Sequence, residues 1–135
     1  MGDYRELGFY QKAQQVTQGV NALIKSWPRT MQAQEISRQL FRSSTSVGAN
    51  IAEGHGRYKG IEYIRYLVIA QDSANETDHW LNTSLDVGLG PEEKVKELIS
   101  LNNEVRRMLT ASINTLRSKN PRSIREEGGE YSLDS

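Results

Sequence analysis

Glu76 and His79 stand three residues apart in Glu76-Thr77-Asp78-His79, the Glu-x-x-His spacing by which a helix of a di-metal carboxylate bundle offers two ligands to one ion. A complete centre of that kind needs a second Glu-x-x-His and two further glutamates, and the only other histidine is His55, set between two glycines. The pair therefore reads as surface, with His79 a partly exposed side chain beside Trp80. Serines are plentiful, but two histidines at unrelated positions give no nucleophile, base and orienting group in sequence. The chain has no cysteine, which removes disulfides, thiolate metal sites and a thiol nucleophile. Gly54-His55-Gly56 has neither the glycine spacing nor the preceding strand of a phosphate loop. These residues predict a protein that is not an enzyme and takes no cofactor.

Binding chemistry is the remaining class. Lys plus Arg equals Asp plus Glu at 17 each, so no global field draws the protein onto nucleic acid or anionic lipid, and any such contact has to come from a local patch. Basic residues are in excess in the first half of the chain. Arg38 and Arg42 lie four apart and Arg5 and Lys12 seven apart, spacings that place each pair on one helical face. Arg5, Lys12 and Arg38, with Arg57 and Lys59 in the glycine-rich connection, are the candidate nucleic-acid contacts. Repeated around a ring of subunits, such pairs would hold several phosphates with an affinity that falls steeply with salt.

The elements that carry these residues read as helices throughout. Tyr10, Ala13, Val16, Val20, Leu23 and Ile24 recur at steps of three and four and predict a helix over about 5–26, ended by Trp27-Pro28. Ile36, Leu40, Val47 and Ile51 predict a second over about 32–53, with small residues through its second half and Gly54 suited to a left-handed cap. A third, about 61–87, has an unusually polar centre from Gln71 to Asp78, which requires partners inside the fold. Gly88-Leu89-Gly90-Pro91 is a stop and restart, with Pro91 placed at a first helical position. A fourth helix, about 92–118, follows. The expected fold is all-α, an up-down-up-down antiparallel four-helix bundle over residues 1–120, with 121–135 a mobile charged tail. No apolar stretch is long enough for a signal peptide or a membrane span, which makes a cytoplasmic location the expectation.

The segment from Arg42 to Gly54, above all Asn50-Ile51-Ala52-Glu53-Gly54, resembles the signature of the four-helix-bundle family of bacterial 23S rRNA intervening-sequence proteins. Tyr10-Gln11-Lys12-Ala13, Trp27-Pro28 and the stretch from Tyr66 to Glu76 extend the resemblance over most of the chain. The family is in turn similar to the accessory variability proteins of diversity-generating retroelements. The resemblance implies a homo-oligomer, a pentamer by that likeness, with RNA or a reverse-transcriptase-like protein as partner. The chain departs from it at Asp72, where glycine is common in the family, and in its neutral charge. A protein-interaction scaffold that binds no nucleic acid is the alternative reading. Tyr4, Phe9, Tyr10 and Phe41 exceed what one small interior readily hides, which also favours assembly.

Within the signature, Arg42, Ser46, Asn50, Glu53, Arg65, Ser73 and Glu76 are expected to form a structural polar network between the second and third helices. If those helices make a hairpin turning near 55–59, Arg42 with Glu76 and Glu53 with Arg65 fall on one register. Ion pairs across the interface are the expectation, Arg42 with Glu76 first.

Overall fold

The apolar spacing closes the chain into four long helices. In the computed structural model, which describes residues 2–57 and 60–119, these are α1 (Gly8–Lys25), α2 (Met31–His55), α3 (Gly60–Asp86) and α4 (Glu92–Ser118). Each helix packs on two others, α1 and α3 both on α2 and α4, so the described chain is an all-α up-down-up-down bundle around one core. Val20, Leu40, Leu67 and Val105 are fully buried, one from each helix, and mark its centre.

The ends differ from expectation in three places. A helix was expected from about Arg5, but the Asp3 carboxylate accepts the Arg5 amide at 2.8 Å and captures a single 3₁₀ turn, Tyr4–Glu6. Leu7 is then extended, with φ −70° and ψ 129°, and α1 begins at Gly8. Gly54 is not a left-handed cap. It lies buried inside α2, which runs on to His55, and a methyl there would stand 2.6 Å from Tyr66 Cβ. Close approach of α2 to α3, not a turn, is what glycine serves at this position. Left-handed backbone falls instead at Gly60 (φ 58°) and Gly88 (φ 77°). Pro91 precedes the first helical residue of α4, leaving Glu92 and Glu93 in the first turn beside the positive end of the helix dipole. The tail expected over 121–135 lies outside the described residues.

The polar centre of α3 finds its partners on both neighbours. Toward α2, Ser46 Oγ and Ser73 Oγ are 2.9 Å apart, as are Ser43 Oγ and Thr77 Oγ1. Toward α4, the buried Asn102 donates its amide to the Ala74 carbonyl at 3.0 Å, and Gln71 donates to Thr110 Oγ1 at 2.7 Å. Hydroxyls and amides thus replace the lost hydration without placing a full charge in the interior.

Candidate nucleic-acid interface

Of the expected network, the structure joins Ser46, Asn50 and Ser73: Asn50 donates to the Ser46 carbonyl at 2.9 Å while Ser46 meets Ser73. Arg42 and Glu76 are exposed and form no ion pair, which corrects the principal expectation. The hairpin register is the expected one to within a residue on each helix, but the rotation is not. The positions facing across it are Ser43 and Thr77, each one residue further on, and one residue turns a helix by about 100°. Glu53 pairs with Arg57 of the next turn rather than with Arg65, which is also exposed. An ion pair that was not expected crosses from α3 to α4: Arg106 of α4 lies 3.6 Å from Asp78 of α3 and donates to Asn75 at 2.9 Å.

The candidate nucleic-acid contacts do not form one patch. Arg5 and Arg57 share the end of the bundle where His55 Nε2 meets the Gly2 carbonyl at 2.6 Å. Arg5 pairs with Asp3 at 2.8 Å and lies over the Tyr4 ring, and Arg57 lies beside the Tyr66 ring, 5.3 Å from its centroid. Lys12 bridges α1 to Glu104 of α4 at 3.7 Å. Arg38 stands roughly 25 Å along α2 from His55, two residues before Arg57, at about 1.5 Å rise per residue. Lys59 lies outside the described residues. His79 is exposed with its ring 4.8 Å from that of Trp80, and Glu76 is exposed beside it.

Around Arg38 the structure builds a site that the spacing of single helices does not reveal. At the α1–α2 turn the Trp27 indole donates to the Gly90 carbonyl at 2.7 Å, which ties the turn to the α3–α4 loop and leaves the ring nearly buried as a floor. Thr30 caps α2 by accepting the Ala33 amide at 3.1 Å. Gln34 and Arg38, and Ser37 and Phe41, are spaced by four on the face of α2 that looks onto this turn. Lys25 closes α1 and Arg29 follows Pro28. The result is an open groove of about 640 Å³ whose lining holds Lys25, Arg29 and Arg38 and no carboxylate.

Among the described residues Lys25 and Arg29 have no ion pair, whereas Arg38 is held by Glu35 of its own helix at 2.7 Å. Hydrogen bonds from Arg38 and then from Gln39 hold the Glu35 carboxyl below its ordinary range, so it stays ionised at neutral pH. Both partners are exposed, and such a pair is weak enough to exchange for a phosphate. Phe41 is 41% exposed at the rim. Sequence reasoning missed Lys25 and Arg29; their only signal is that they flank Trp27-Pro28, a turn bound to bring them near the start of α2.

Fold and surface together define a four-helix bundle with a polar α2–α3 seam and a cationic groove at one end. Residues 5–111 match the 23S rRNA-intervening sequence protein family, and the chain belongs to that family. It is similar to a solved protein of unknown function from the S23 ribosomal protein family of Bacteroides thetaiotaomicron. The two share 27% identity with a TM-score of 0.68, over 78% of this chain and 97% of the other. Among curated proteins none matches. No described helix is long and apolar enough to cross a membrane.

Proposed function

We propose that this chain is a non-enzymatic RNA-binding accessory protein of the cytoplasm, contacting its nucleic acid through the groove between α1 and α2. The observation that carries this reading is the groove lining, in which Lys25, Arg29 and Arg38 stand together and only Arg38 is shared with a carboxylate, that of Glu35 beside it on α2. On a chain of zero net charge, a local excess of this kind is what attracts phosphate. The positive end of the α2 dipole adds to it. The family description, an rRNA-intervening sequence protein, supports RNA as the class of nucleic acid.

A gel shift of the full chain with structured RNA tests the reading: retardation is expected at low salt and loss of it at moderate salt. No retardation at low salt on any RNA would remove it. Glu35→Gln releases Arg38 and removes a charge that repels phosphate, so it should tighten binding about two- to fivefold at low salt, the modest effect of an exposed pair. A weaker complex would place Arg38 outside the contact.

Assembly into a homo-oligomer, a pentamer by resemblance, is proposed on different residues from those expected. Phe9 is buried and Tyr4 and Tyr10 pack ring to ring at 4.9 Å, leaving only Phe41 of that set exposed. Met31 is 83% and Val87 54% exposed, and they line one shallow recess with Ile36. A contact between copies of the chain would cover Met31 and Val87 in this recess, which Gln32, Gln34, Glu35 and Arg38 also line. Mass measurement in solution should give a multiple of 15.3 kDa, reduced by Met31→Glu with Val87→Glu. A monomer across micromolar concentrations would contradict assembly and leave the fold untouched.

A further inference from the structure

We infer that the α1–α2 groove takes an unpaired stretch of RNA, one base stacking on Phe41 while Lys25, Arg29 and Arg38 hold the flanking phosphates. The inference rests on the RNA-binding reading and names the form of RNA. Three cations alone would suit any phosphate backbone, double- or single-stranded. The distinguishing feature is that they line one groove together with an exposed aromatic ring.

In an A-form duplex the bases are stacked and paired, and the deep major groove is too narrow for side chains to read. A duplex laid on this surface could offer phosphates to the cations, but no base face to Phe41. An unpaired strand can turn a base out, lay it on the ring and keep its neighbouring phosphates within reach of the groove. Gln34 and Ser37 line the same groove from α2 and supply an amide and a hydroxyl, both able to donate to and accept from base edges. The Trp27 floor is already fixed by its bond to Gly90, so the recess exists before the strand arrives.

The test is affinity of the full chain for a fluorescent RNA oligonucleotide, single-stranded and annealed to its complement, with inorganic polyphosphate as a competitor that has charge but no bases. The single strand should bind more tightly than the duplex. Phe41→Ala should weaken single-strand binding between about 5- and 150-fold, the range for loss of one base–aromatic stack, and leave duplex binding and salt dependence unchanged. Phe41→Leu, which keeps apolar bulk, should weaken it as well, and Phe41→Tyr should restore it. Circular dichroism confirms that each variant is folded.

Equal affinity for both forms, with no effect of Phe41→Ala, would overturn the inference while the RNA-binding reading stands. Polyphosphate competing as well as the oligonucleotide, charge for charge, would also overturn it and make the groove a plain anion site. Absence of binding to either RNA would remove both.

Discussion

Gly54→Ala should destabilise the bundle by about 2 kcal/mol, whereas Gly48→Ala should leave it within about 1 kcal/mol of the wild type or more stable. Both glycines lie buried in α2, and alanine at either gains up to about 1 kcal/mol in helix propensity. What the new methyl meets decides the sign. At Gly54 it stands 2.6 Å from Tyr66 Cβ and 3.3 Å from Tyr63 Cδ1. The nearer atom is bonded directly to the α3 backbone, so no rotamer moves it and the two helices must separate there. Overpacking of this kind costs about 1–3 kcal/mol and sometimes more, which outweighs the propensity gain. At Gly48 the methyl meets Gln14 Oε1 at 2.7 Å, the far end of a half-buried flexible side chain that can swing aside. Urea unfolding followed by circular dichroism gives both values. Equal losses at the two positions would show that the α3 contact at Gly54 is no less yielding than the Gln14 side chain of α1 at Gly48.

Helix number and direction were legible because each helix carries a stripe at three-four spacing and is stopped by Trp27-Pro28, by the glycines around His55 or by Gly88-Leu89-Gly90-Pro91. Register was nearly legible, since a hairpin turning near 55–59 constrains which residues can sit level. Rotation was not. Arg42 and Glu76 fit the register as well as Ser43 and Thr77 do, and opposite charges draw the eye where two hydroxyls 2.9 Å apart do not.

The packing itself rejects the charges: the face that meets α3 carries Ser43, Ser46 and Gly54, and a guanidinium among them would be stripped of water with little to replace it. The start of α1 was misread because Asp3 acts two residues ahead, through a local bond that helical spacing does not encode. The groove was hidden for another reason. Its cations come from the end of α1, the turn and the second turn of α2, and only folding brings them into one groove with Phe41.

Replacing Lys25, Arg29 and Arg38 together by alanine should reduce RNA affinity at low salt on the order of 100-fold or more. All three side chains are exposed or at the surface of the fold, so their removal leaves the core intact. Each phosphate contact on a single strand contributes about 0.7 to the slope of log affinity against log salt, so losing three should flatten that slope by about 2. Arg5→Ala with Arg57→Ala, at the far end of the bundle, is the matched control. Neither arginine lines the groove, and the double variant should keep both slope and affinity close to wild type.

A salt titration of RNA binding by the full chain, run side by side on the wild type, the groove variant and the far-end variant, measures where the protein holds its nucleic acid. The expected result is a slope reduced by about 2 in the groove variant alone, with affinities of the three proteins converging as salt rises. Unchanged slope and affinity in the groove variant, or the loss appearing in the Arg5 and Arg57 variant instead, would contradict the α1–α2 groove as the binding site.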